Sequence, residues 1–242
     1  DLGEEIGRSH GYDRLPSTLL EDELPHTQRN VRLEGEEKVR DILAGCGLDE
    51  VITYSMIDVR DEAKLLGEGG AAQQPHVTVL NPLSNERGHL RVMLLPSLIA
   101  TAQANLRFGE RVAIFEVGRV YLPQPDQTLP DEPRRLAALL AGPREPASWL
   151  GHDASPMGFF DLKGVVEALL LRLGLANVAW ERGSHPAMHP GRTAQVVVNG
   201  TAVGMVGELH PRVRDAFDLP NLPVVAMELN LEALLAGWGA KQ

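Results

Sequence analysis

Apolar and polar positions follow two rhythms along this chain. A spacing of three to four residues, the period of a helix with one buried face, joins Leu94, Leu95, Leu98, Ile99, Ala102 and Leu106. The same spacing joins Leu162, Val165, Val166, Leu169, Leu170 and Leu173, with Phe160-Asp161 at the start and Gly174 at the end. Another amphipathic helix is predicted from about Gln28 to Ala44, its stripe formed by Val39, Ile42 and Leu43 with Cys46, its end marked by Gly45 and Gly47. Glu4, Glu5 and Arg8 sit one turn apart on a helix that Gly11 would stop. Shorter helical pieces are expected after Asp58, from His210-Pro211 to Phe217 and from Leu231 to Leu235.

The second rhythm is that of strands. Val51–Tyr54, His76–Leu80, Val112–Val117 and Val224–Asn230 are short and β-rich. Arg135–Ala141 is an apolar run of ambiguous type, and the Gly142-Pro143 that follows favours a strand. Gln195–Val198, Asn199-Gly200 and Thr201–Leu209 form the clearest hairpin signal, because Asn-Gly accepts the positive φ of a type I′ turn. Between these elements lie the Leu15–Arg29 linker with Pro16 and Pro25, the loose Gly67–Gln74 loop, the Asn81-Pro82-Leu83-Ser84 turn and the proline-rich Pro123–Pro133 loop. Strands joined by hairpins, with helices between, predict an α+β fold: an antiparallel sheet with helices packed on it.

Composition narrows the function more than the fold. The 242 residues suffice for a real core, and 43% hydrophobic and 23% charged content is ordinary for a globular protein. The formal charge of −10 argues against a chain that binds RNA by itself through a basic stripe. No run is apolar enough to span a bilayer, nothing reads as a signal peptide, and the single Cys46 suits a reducing cytoplasm.

A family resemblance rests on longer wording. The segments N-P-L-S from Asn81, L-R at Leu90-Arg91, L-L-P-S-L from Leu94, and F-E-V-G-R-V-Y from Phe115 to Tyr121 resemble the β subunit of bacterial phenylalanine–tRNA ligase. The likeness is to the part folded as a copy of a class II aminoacyl-tRNA synthetase catalytic domain. It continues through Asp1–Asp13, Glu50–Ser55, Phe160–Leu175, His189–Pro211 and Val224–Leu235. The resemblance implies that residues 1–25 are the tail of a preceding helical domain with a linker, and that 26–242 are a class II synthetase-like core. The abrupt start reads as a cut from a longer protein, whose editing and anticodon-binding regions would lie outside it. The helix near Gln28–Ala44 and the strand at Val51 would be motif 1, which pairs catalytic-type domains, with Ile42 and Leu43 on the face a partner covers.

The resemblance also implies a metal and a lost chemistry. The family's D-x-x-E-E carboxylates are assigned to a magnesium site shared with the α subunit, and they map onto Asp1, Glu4 and Glu5. Hard cations do need clustered oxygens, but the upstream carboxylate of that pattern is absent here, so magnesium is expected to be missing from this chain alone. A solvated acidic helix face is the plain alternative. Active class II members hold the ATP phosphates with an arginine in motif 2 and another in motif 3. Leu122 and Ala233 occupy those positions here, while Arg91 and Arg119 match the β-subunit pattern and suit structural roles. Losing one preorganised contact of this kind costs roughly 10²–10³ in rate.

The expected role is therefore non-catalytic: assembly with the catalytic α subunit in an α2β2 ligase that charges tRNA with phenylalanine, tRNA being contacted mainly by other regions. A self-sufficient class II-like ATP-dependent ligase and a free-standing synthetase-binding adaptor are the alternatives. Other constellations are weaker. His185 and His189 have a metal-ligand spacing, but Pro186 and Pro190 forbid the helix that would use it. His189-Pro190-Gly191-Arg192-Thr193-Ala194 reads as a turn into the hairpin, with Arg192 placed to pair with Glu208. Glu208-Leu209-His210 suits capping better than acid–base work, and Gly204-x-x-Gly207 lies within a strand pattern, not before a helix as a phosphate loop would.

Overall fold

The computed structural model describes the chain apart from residues 20, 24, 25, 27, 68, 69, 71–74, 83, 237 and 239–242, and of Asn85 it describes the backbone. Pro25, Leu83 and most of the Gly67–Gln74 loop thus lie outside the described residues. The chain forms two compact units, Asp1–Asn30 and Val31–Gln242. In the first, helix α1 (Leu2–His10) ends at Gly11, whose φ of 94° suits glycine, and a 3-10 turn follows at Tyr12–Arg14.

The second unit is built on a seven-stranded sheet. Helix α2 (Val31–Gly45) leads into β1 (Asp49–Glu50); a small pair, β2 (Met56–Ile57) and β3 (His89–Leu90), flanks α3 (Val59–Leu66). Then come α4 (Leu95–Asn105), β4 (Val112–Arg119), β5 (Arg134–Ala141), α5 (Phe159–Arg172), β6 (Val178–Arg182), β7 (Met188–Val198), β8 (Thr201–Leu209), α6 (Pro211–Ala216), β9 (Val224–Asn230) and α7 (Leu231–Leu235). The sheet order is β1-β4-β5-β9-β8-β7-β6, antiparallel throughout except for the parallel β1–β4 pair. Asn199 and Gly200, with φ of 51° and 78°, form the tight turn between β7 and β8.

Each sheet face carries its own core, as the period of two requires. Phe115, Leu136, Ala138, Leu140, Val225, Met227 and Leu229 face α2, α5 and α7. Val112, Ile114, Ala137, Leu139, Val224 and Ala226 face α4, α6 and the end of α3. Cys46 packs partly buried against the first core.

The structure departs from the sequence reading in several places. Ile42 and Leu43 are 2% and 0% exposed and pack against the sheet, so they are core and not a partner-facing surface. An apolar stripe on a helix beside a sheet is buried by that sheet first. The strand read at Val51–Tyr54 is displaced to Asp49–Glu50, and His76–Leu80 contributes one isolated bridge, Thr78 to His89. Helix α2 begins three residues later than predicted, and β6 went unread.

Candidate functional site

The two acids that sit inside otherwise apolar strands define the site. Glu116 on β4 pairs across the ladder with Ala137 on β5, and Ala137 pairs with Glu228 on β9. One row on the α4 face therefore carries two carboxylates, with backbones two strand spacings, or about 10 Å, apart. Arg135 lies in the next row, opposite Gly118.

Glu116 is 1% exposed and Arg91, at the end of β3, is 3% exposed. Arg91 Nη1 donates to Glu116 Oε1 at 2.7 Å and to Thr53 Oγ1 at 2.8 Å, and its Nε donates to the Arg119 carbonyl at 2.9 Å. Thr53 Oγ1 donates to Glu116 Oε2 at 2.7 Å, and the Thr53 amide reaches Oε1 at 3.3 Å. Both oxygens of the carboxylate are thereby satisfied, which burial of a charge requires. Gly118 makes room for this arrangement: a Cβ there would lie 2.4 Å from Arg91 Nη2. The glutamate and glycine of the F-E-V-G-R-V-Y wording are thus explained by packing.

Glu228 caps a helix across the sheet. Its Oε2 accepts the amides of Leu94 and Leu95 at 3.0 and 3.1 Å, at the N-terminus of α4 where free N–H groups point outward. Burial pushes its pKa up to about 7, against the pull of those two amides and of Arg135 and Arg91.

The two positions that resemble the phosphate-binding arginines are apolar and engaged. Leu122 makes a two-way backbone bridge with Asp131, at 2.8 and 3.0 Å, and its side chain packs on the α4-side core. Ala233 lies in the first turn of α7, its amide capped by Asn230 at 3.2 Å. Beside them is a cavity of about 420 Å³ lined by Arg32, Arg119, Asp131, Glu132, Pro133 and Glu232. Arg119 pairs with Glu132 at 2.7 Å and Arg32 with Glu232 at 2.5 Å. Three carboxylates against two guanidiniums leave that cavity negative, which repels a polyphosphate.

The remaining candidates fall apart from one another. His185 and His189 each use Nδ1 to accept a nearby amide, from Ala187 at 3.2 Å and from Gly191 at 3.1 Å. Burial lowers the His185 pKa. Arg192 Nη1 reaches both Glu208 oxygens at 2.7 Å, the pairing the sequence suggested. His210 caps α6 through Nδ1, and Gly204 and Gly207 lie within β8. In the first unit Asp1, Glu4 and Glu5 occupy the exposed start of α1, and Glu5 is held by Arg8 at 2.6 Å. Among the described residues no group of three or more His, Cys, Asp or Glu side chains converges as a metal site.

Sequence reasoning named Arg91 and Arg119 but not Glu116, Glu228 or Thr53. The available signal was a lone carboxylate in a buried strand pattern, in Ile114-Phe115-Glu116-Val117 and Ala226-Met227-Glu228-Leu229. An acid at such a place is almost never left unpaired.

One further feature matters for partners. Beyond β1 the chain runs as an extended edge in which Ile52 is 91% and Tyr54 68% exposed, with the Arg87 guanidinium 4.5 Å from the Tyr54 ring. These residues and the outer side of α4, from Pro96 to Ala104, line a groove of about 550 Å³. No helix among the described residues is long and apolar enough to cross a membrane.

Comparison with known proteins bears on this arrangement. The chain resembles the pyrrolysyl-tRNA synthetase of Desulfitobacterium hafniense in fold, with a TM-score of 0.65 over 86% of this chain and 69% of that one, at 22% identity. It is 40% identical over 230 residues to the phenylalanine–tRNA ligase β subunit of Symbiobacterium thermophilum, covering 93% of this chain and 25% of that protein. To the β subunit of Halalkalibacterium halodurans it is 37% identical, covering 100% of this chain and 30% of that protein. The chain thus spans between a quarter and a third of the relatives it matches. The family model described as phenylalanyl tRNA synthetase beta chain CLM domain matches residues 15–231. With its class II synthetase-like sheet, and with that match over most of its length, this chain belongs to the phenylalanyl tRNA synthetase beta chain CLM domain family.

Proposed function

We propose that this chain is a catalytic-like module that performs no adenylation and serves a phenylalanine–tRNA ligase β subunit as a scaffold, pairing with the catalytic α subunit of an α2β2 enzyme. On this reading the assembled ligase uses ATP, phenylalanine and tRNA in the cytoplasm, and this module's own contribution is architectural. The observation that carries the reading is the closure of the sheet face. Glu116 is consumed by Arg91 and Thr53, and Glu228 by the start of α4. Leu122 and Ala233 offer no charge where a triphosphate would need fixed cations. The surface expected to meet the α subunit is the edge carrying Ile52 and Tyr54, which takes over the role first read for Ile42 and Leu43. Asp1, Glu4 and Glu5 would contribute to a magnesium site only with ligands from outside this chain.

Two experiments test the halves of the proposal. Titration with a phenylalanine–tRNA ligase α subunit should give a defined complex that Ile52→Asp weakens, and no complex at micromolar concentrations would refute the pairing. Phenylalanine-dependent ATP–pyrophosphate exchange tests the absence of chemistry.

A further inference from the structure

The segment from Val51 to Ser55 is fastened to the sheet in an unusual way. The last ladder bond is Val51 N–H to the Phe115 carbonyl at 2.8 Å, and the next backbone contact is Arg91 N–H to the Ser55 carbonyl at 2.9 Å. Between them, Thr53 is held by a side chain in place of a neighbouring strand. The Glu116 carboxylate accepts both its amide and its hydroxyl, and Arg91 Nη1 donates to that hydroxyl while clamping the carboxylate. With Val51 and Thr53 turned inward, Ile52 and Tyr54 must point out, because successive residues of an extended chain face opposite ways. Their 91% and 68% exposure is the result.

A buried ion pair is a poor way to gain stability, since desolvation consumes most of the attraction. Its better attested use is to fix a geometry. We propose that Glu116, clamped by Arg91, is a positioning residue for the docking edge: by fixing Thr53 it presents Ile52 and Tyr54 in the one shape that a partner chain accepts. This inference rests on the reading of that edge as the α-subunit surface, and it gives a role to a carboxylate buried on an otherwise apolar sheet face. The occupant is a protein chain: the edge is apolar at two alternate positions, and β1 is the outermost strand of the sheet, open to a second polypeptide.

The test uses Thr53→Val, which keeps the side-chain shape and removes the hydroxyl, beside Glu116→Ala, which leaves Arg91 without its carboxylate and is the riskier variant to fold. Amide hydrogen exchange at positions 53 and 54 is measured on the chain alone, and affinity for the α subunit by titration. Thr53→Val should melt close to the unsubstituted chain, exchange those amides faster, and bind the α subunit about tenfold more weakly, the loss of one hydrogen bond to a charged group. A folded Thr53→Val chain with unchanged exchange and unchanged affinity overturns the positioning role. If the unsubstituted chain fails to bind the α subunit, the partner reading falls, and the exchange measurement alone then decides the role of Glu116. If the chain instead dimerises and Ile52→Asp abolishes that, the edge belongs to a second copy and the α-subunit assignment is overturned.

Discussion

At the scale of single residues, two carboxylates on one apolar sheet face answer the same problem differently. Glu116 is paired with Arg91, while Glu228 relies on two amides at the start of α4, with its pKa pushed by burial from 4.5 to about 7. The folded chain therefore holds the Glu228 proton more tightly than the unfolded chain does. Its contribution to stability is complete below pH 4.5 and lost as pH rises through about 7. A shift of that size is worth about 3 kcal/mol. Urea unfolding at pH 5 and pH 8 should show this part of the pH dependence in the unsubstituted chain and its loss in Glu228→Gln; parallel pH dependence in both would refute it. Gly118 offers a second test. A Cβ 2.4 Å from Arg91 Nη2 must displace a guanidinium that has three fixed acceptors. Gly118→Ala should cost about 1–3 kcal/mol by overpacking, read as a lower melting temperature. Neither Glu116 nor Glu228 was read as a site from the sequence, because their partners are supplied from positions 25 to 134 residues away.

At the scale of elements, what was legible was what local chemistry decides. Helix α5 follows from its apolar spacing and from Asp161, whose carboxylate accepts the Gly158 amide at 2.7 Å. The β7–β8 hairpin follows from Asn199-Gly200, and α6 from Pro211 in the first turn with His210 as cap. What failed were pieces decided at a distance. The β-rich Val51–Tyr54 is no strand because Glu116, 63 residues beyond Thr53, takes the amide that a ladder would have used. The α2 stripe was read correctly as apolar and wrongly as exposed, since only the fold tells whether a sheet or a partner covers it. This gives a paired prediction. Leu43→Ala, at a fully buried site, should cost about 2–5 kcal/mol, whereas Ile52→Asp should leave stability within about 0.5 kcal/mol, as exposed substitutions do. Thermal unfolding of both decides it, and a large loss on Ile52→Asp would show that the edge is covered in the isolated chain.

At the scale of the whole molecule, a class II synthetase-like sheet carries helices on both faces, while Leu122 and Ala233 place no charge at the two positions that resemble the phosphate-binding arginines. The chain carries −10 overall, and the cavity beside Leu122 and Ala233 is lined by more carboxylates than guanidiniums. The first unit offers carboxylates that do not converge, so calorimetric titration with magnesium should show only weak binding, in the millimolar range or beyond; a micromolar site would mean that Asp1, Glu4 and Glu5 suffice. The α+β architecture was legible from the alternation of rhythms, and the family from long wordings in order. The lack of a cation at Leu122 and Ala233 was legible in the sequence, whereas the bonds that hold Glu116 and Glu228 on the sheet face were not, because their partners come from distant positions. The most direct test is phenylalanine-dependent ATP–pyrophosphate exchange by the purified chain, with an α-containing ligase as positive control. The chain should stay at the no-enzyme blank. Exchange above that blank, abolished by a substitution on the α4 face of the sheet, would contradict the scaffold reading.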